Sequence, residues 1–182
     1  MNLKPLMAAM GLVVLGLMAS TPSFARSKAD IDASADAAVK KFYSMSPRHR
    51  ELADKASGML VFGRVTKAGA GVAGEFGEGV LRVHGKTADY YGIKSASVGL
   101  TLGVGKHREI ILFMTQESLD KFIKSSGWSV GADASVTVVK TGAGGEYDTA
   151  VLAKPVIGFM FSEKGLLGDL SFEGSKVTKI KD

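Results

Sequence analysis

Gly69-Ala-Gly71-Val-Ala-Gly74-Glu-Phe-Gly77-Glu-Gly79 puts five glycines into eleven residues, and the reading of this stretch decides the fold. In letters it matches the nucleotide-binding fingerprint, with Asp89 twenty residues on, where a ribose-binding acid would stand. That fingerprint needs its third glycine to open a helix whose first amides meet a pyrophosphate. Here Gly77 and Gly79 follow at once, and each costs a helix interior roughly 1 kcal/mol relative to alanine. Val72, Phe76 and Val80 recur as on a strand. The stretch therefore reads as a bent, glycine-rich strand with close backbone approach, binding no nucleotide. Gly71→Val is expected to destabilise it by overpacking.

Working outward, further strand candidates are Met59–Phe62, the continuation of the glycine-rich stretch to Arg82, Ser95–Val104 and Ile110–Met114. Ala132–Val139, Val156–Phe161 and Leu170–Phe172 follow, all β-branched or alternating and bounded by glycines. Before them come helices. Ile31, Ala35, Ala38, Val39 and Phe42 recur at helical spacing, with Asp30, Asp32 and Asp36 toward the start and Lys40 and Lys41 toward the end, as the helix dipole favours. Ser46-Pro47 is an N-cap with proline at the first helical position, opening a second helix that ends by Gly58. Thr115 caps a third, with Leu119, Phe122 and Ile123 facing inward and Gly127 stopping it. This order predicts an α+β fold: a strand-rich, mostly antiparallel, curved or barrel-like sheet with short N-terminal helices and one interrupting helix. The continuous apolar run at Ile110–Met114, the helix after it and the charged ending argue against an outer-membrane barrel.

The N-terminus has a different character. Lys4, the apolar run Leu6–Ala19 and Ser23-Phe24-Ala25 have the form of a secretory signal, so residues 1–25 are expected to be removed and Arg26 to become the N-terminus of an exported, periplasmic protein. Residues 26–45 then form an N-terminal amphipathic helix and 46–182 the main domain. With no cysteine, a lipid-anchored cysteine, disulfides and thiolate metal sites are excluded. The excess charge is local. Lys40, Lys41, Arg48, Arg50, Lys55, Arg64 and Lys67 face only Glu51 and Asp54 between residues 40 and 67, a net +5, whereas the rest of the mature chain is about neutral. That asymmetry indicates an anion-facing surface or a solvated helical face.

Catalytic chemistry is thin. His49, His84 and His107 are at no metal-ligand spacing, and His49 and His107 lie in charged stretches expected to be exposed. No serine sits in a nucleophile elbow, and Glu75 and Glu78, three apart on a strand, point to opposite faces. Asp133 and Asp169, within apolar and glycine-flanked segments, read as buried carboxylates satisfying backbone amides. Trp128 and Phe122 read as core. No catalytic residue, metal or cofactor is expected.

A set of motifs runs in one order from about residue 46 to 175. They are Gly58-Met-Leu-Val-Phe62, Lys67 through Gly77 with Gly79-Val-Leu81, Ser97-Val-Gly-Leu100, Phe113-Met-Thr115, Leu119-Asp-Lys-Phe122, Gly131-Ala-Asp-Ala-Ser135, Ser162-Glu-Lys-Gly165 and Leu170 through Ser175. Together they resemble the SYLF domain, a lipid-binding family also called the yeast actin-binding type. Gly63 stands where that family usually has proline, Ala70 where a bulkier residue is common and Leu167 where an aromatic is frequent. The resemblance implies a non-catalytic lipid-binding module, engaging phosphoinositides through a basic N-terminal region in eukaryotic members and actin in some. For an exported chain the expected partner is an anionic phospholipid or membrane surface of the cell envelope, with no nucleic acid and an unknown protein partner; the alternative is an envelope protein-protein interaction module with no direct lipid binding, which would need an exposed apolar patch to which Trp128 and Phe122 could belong. The expected lipid-binding residues are the seven cations from Lys40 to Lys67.

Overall fold

The computed structural model describes residues 26–140, 147–167 and 170–181. The expected signal segment and Asp169 lie outside them. Two helices, α1 (Lys28–Met45) and α2 (Pro47–Lys55), lead into one long antiparallel hairpin, β1 (Gly58–Val83) and β2 (Lys86–Phe113). The hairpin turns on His84 and Gly85, with φ of 51° and 76°. Two central residues of positive φ match the right-handed strand twist, so a two-residue turn suffices. After it come α3 (Gln116–Lys124), β3 (Trp128–Ser129), β4 (Thr137–Val138), the single-turn α4 (Thr149–Leu152), β5 (Val156–Ser162), β6 (Gly165–Leu166) and β7 (Lys176–Lys179).

The glycine-rich stretch is the bend of that hairpin. The β1–β2 register shifts between Ala70 and Val72, where Gly71 has φ 82° and Gly103 on the partner strand has φ 103°. Beyond the bulge β1 folds back across its own first half. A Cβ on Gly79 would lie 2.2 Å from the Val61 carbonyl oxygen, one on Gly77 2.9 Å from that of Arg64, and one on Gly69 2.3 Å from that of Val72. Glycine is needed there because backbone meets backbone. Gly71 differs: nothing lies within 4 Å of its added Cβ, so a side chain there is strained by the positive φ and does not overpack.

β2 is the central strand. It pairs antiparallel with β5 through Arg108–Phe113 and with β7 through Tyr91–Lys94; β3 extends β7, β6 folds back on β5, and β4 lies parallel to β5. The resulting seven-stranded sheet is strongly bent but not closed into a barrel. Both of its faces are covered where the strands are most apolar, which is why Ile110–Phe113 reads as a continuous run. Ile110, Leu112, Ile157, Phe159 and Phe161 share one core with Ile31, Ala35, Ala38 and Phe42 of α1. Leu60, Phe62, Ile111 and Phe113 share the other with Leu119, Phe122, Trp128 and the folded-back Leu81 and Ile93.

The caps act as the sequence implies. Ser46 accepts from the Arg48 amide and Thr115 from the Ser118 amide. Four expectations are corrected. Ile123 is 48 % exposed, because Leu119 and Phe122 already fill the buried stripe of α3. Of the segment Ala132–Val139 only Thr137–Val138 is strand; Asp133 is exposed, though it does accept a hydrogen bond from the Ser129 amide at 2.6 Å. Phe172 is buried from a loop, while the charged Lys176–Lys179 supplies the strand instead. His49 and His107 are buried: packing between α1 and β5 and in the hairpin bend outweighs their charged neighbours.

Candidate functional site

Where α1, β1, β2 and the β5–β6 turn meet, the surface opens into a cleft of about 860 Å³. Its cations are Arg26, Arg64, Lys106, Arg108 and Lys164; its carboxylates are Asp30 and Glu163. Glu163 is already paired with Arg108, leaving a net positive lining. Two local features build it. A register shift between Phe62 and Val65 makes Gly63 and Arg64 a bulge, and Val65 pairs with His107, so Arg64 stands beside the Lys106-His-Arg108 run of β2. Gly63 also lets α1 close in, since a Cβ there would sit 2.2 Å from the Ser34 carbonyl oxygen.

α1, one wall of the cleft, is fixed by a polar network. Asp32 accepts from Tyr90 at 2.5 Å, Thr87 at 2.7 Å and Arg82 at 3.4 Å, and Arg82 reaches Asp36 at 2.7 Å. Burial works to raise the Asp32 pKa; the hydrogen bonds from Tyr90 and Thr87 and the Arg82 charge outweigh it and hold the carboxyl below its ordinary value. On α2, buried His49 ties back to the end of α1, donating from Nδ1 to the Phe42 carbonyl at 2.7 Å and accepting at Nε2 from Tyr147 at 2.6 Å. It stacks on Phe42 with ring centroids 4.2 Å apart. Desolvation pushes its pKa down, against the opposing hydrogen bond to Phe42.

The seven cations expected from the sequence are not one cluster. Arg64 lines the cleft. Lys41 donates to the Glu163 carbonyl at 2.9 Å, in the turn that forms the cleft's rim, and Lys40 is exposed on α1. Arg48, Arg50 and Lys55 project from α2, with the Arg50 guanidinium 4.5 Å above the Tyr43 ring, a cation–π contact. Lys67 is engaged inside the hairpin, 3.2 Å from Glu75. Arg26, Lys106, Arg108 and Lys164 were not singled out. Lys106-His-Arg108 was the visible signal, a basic triplet abutting an apolar strand, but its approach to Arg64 depends on strand register.

Apolar side chains are also presented. Val72 and Phe76, 62 % and 58 % exposed, lie four apart on β1 and so share a face, and Lys94 is the cross-strand partner of Phe76. None of the described helices is long and apolar enough to cross a membrane.

An α+β domain with a basic cleft and a basic-apolar hairpin face has the makings of a binding module. Residues 94–182 match the family model Ysc84, described as Las17-binding protein actin regulator, in agreement with the resemblance to the SYLF domain. That family comprises non-enzymatic binding domains for lipids or actin-related partners. No curated protein matches the chain.

Proposed function

We propose that this protein is an exported, periplasmic, non-catalytic domain that binds anionic phospholipids of the envelope and rests on the membrane peripherally. The observation that carries the reading is the cleft, in which five cations face two carboxylates. Arg guanidinium groups in such a setting suit phosphate oxygens, which they can grip with paired hydrogen bonds. Each cation near an anionic surface contributes about 1 kcal/mol. The α2 cations Arg48, Arg50 and Lys55 add long-range attraction, and the Val72–Phe76 face, with Lys94 beside it, supplies an apolar contact of the kind that settles at the headgroup boundary. The family's lipid-binding members support the same reading.

Vesicle flotation tests it. The protein is expected to float with phosphatidylglycerol-containing vesicles and to remain behind with phosphatidylcholine alone. Changing Arg64, Lys106 and Lys164 together to glutamine is expected to weaken association by up to about 3 kcal/mol, roughly a hundredfold. An unaltered triple variant would remove the cleft from the mechanism.

A further inference from the structure

A second polar cluster lies where the folded-back hairpin closes on itself. His107 and Glu109, two apart on β2, point to the same face, and His107 Nε2 lies 2.8 Å from Glu109 Oε1. The fold-back at Gly69–Gly71 brings in Glu75 from the far half of β1. One ligand-capable atom of each of Glu75, His107 and Glu109 lies within 4.8 Å of the others. Both Glu75 oxygens already have a partner, Oε2 accepting from Ser95 at 2.9 Å and Oε1 pairing with Lys67 at 3.2 Å, so an ion would bind there in competition with the lysine.

Glu109 is the unusual member. It is 1 % exposed, and its Oε2 is buried with no hydrogen-bond partner. As a carboxylate that oxygen needs a donor or a cation, and as a carboxylic acid its proton needs an acceptor. An unsatisfied buried charge is strongly disfavoured, so such groups are paired or coordinate metals. Burial pushes the Glu109 pKa up; His107 opposes that rise and the nearby Glu75 charge adds to it.

We propose that Glu75, His107 and Glu109 form a binding site for a divalent first-row metal ion, zinc being the cation this ligand set suits. One imidazole nitrogen and two carboxylates are ordinary zinc donors at about 2.0–2.2 Å. Tetrahedral bonds of that length set donor atoms about 3.4 Å apart, so the side chains close around an ion with shifts of about 1.5 Å or less. Three protein ligands leave a fourth position for water or an anionic oxygen. His107 also lines the basic cleft, which places the metal at the cleft's floor. The site needs no lipid and is independent of the membrane reading.

The test is calorimetric titration of chelator-stripped protein with Zn²⁺, with Co²⁺ as a spectroscopic probe of ligand geometry. One Zn²⁺ per chain is expected. Glu109→Gln, which keeps the side-chain shape, and His107→Gln are each expected to weaken binding at least tenfold, while His84→Gln, an exposed histidine in the hairpin turn, leaves it unchanged. Should either core variant fail to fold, Glu75→Gln at the half-buried ligand and the Zn²⁺-dependent rise in melting temperature of the unaltered protein decide the matter. Absence of stoichiometric Zn²⁺ binding by the unaltered protein overturns the proposal. So does binding that survives the ligand substitutions, or a Glu109→Gln protein that is more stable than the parent at every zinc concentration.

Discussion

Gly79→Ala probes the close approach of the two halves of β1. The added methyl carbon would lie 2.2 Å from the Val61 carbonyl oxygen and 2.6 Å from Phe62 Cδ1. An ordinary contact begins at 3.4 Å, so the two layers must separate by about 1.2 Å. The first obstacle is backbone, and Phe62 is fully buried, so neither neighbour can yield by changing rotamer. Overpacking of a core costs about 1–3 kcal/mol, and the upper end is expected here. For a domain of this size that lowers the melting temperature by roughly 6–12 °C, at about 2–4 °C per kcal/mol. Urea unfolding followed through Trp128, the sole tryptophan and 3 % exposed, reads the change. Two comparisons isolate the cause. Gly74→Ala meets nothing within 4 Å and has no positive φ, so it is expected to be neutral or to stabilise by up to about 1 kcal/mol through the unfolded chain. Gly71→Ala meets nothing either, yet its φ of 82° predicts a loss of about 1–2 kcal/mol. Equal stability of the Gly79 and Gly74 variants would refute the layered reading.

Three further outcomes follow from the same structure. Because burial holds the His49 pKa below 6.5, its contribution to stability is present above pH 6.5 and is lost as the pH falls toward its folded-state value; urea midpoints at pH 7.5 and 5.5 should fall less in His49→Gln than in the parent. Phe76→Ser should weaken association with anionic vesicles by at most about 3 kcal/mol, the value of burying a phenylalanine, without lowering the urea midpoint, since the ring is exposed. Mass spectrometry of protein recovered from the envelope should find Arg26 at the N-terminus; an intact Met1 would contradict export with cleavage after Ala25.

Local signals made much of this architecture legible. Ser46-Pro47 and Thr115 announced their helices because a cap is decided by a few adjacent residues. The glycine pattern announced a bent strand because two further glycines disqualified a helix. What stayed hidden was set by distant partners. Two strand candidates on each side of the hairpin turn proved to be single bent strands, since the bulge at Gly63 and Arg64 and the charged run from Lys106 to Glu109 opposite it interrupt the apolar pattern without ending pairing. His49 looked solvated beside Arg48 and Arg50, yet its own ring fills a gap among Phe42, Tyr147 and Phe159. At the cleft, Arg64 was found from charge density, whereas Arg26, Lys106, Arg108 and Lys164 reach it only through register and the approach of α1. The Glu75–His107–Glu109 cluster spans more than thirty residues and had no motif to reveal it.

Attachment to anionic membranes through a basic surface, as proposed, must depend on both salt and headgroup charge. Flotation with phosphatidylglycerol and phosphatidylcholine vesicles at 0.1 M and 1 M salt measures it most directly, because the Debye length falls from about 10 Å to about 3 Å over that range. Strong association with the anionic vesicles at low salt, its loss at high salt, and little association with neutral vesicles at either are expected. The Arg64, Lys106 and Lys164 triple variant is expected to lose more than the Arg48, Arg50 and Lys55 triple variant. Association that is equal on neutral vesicles, unaffected by salt or undetectable throughout would contradict the proposed attachment.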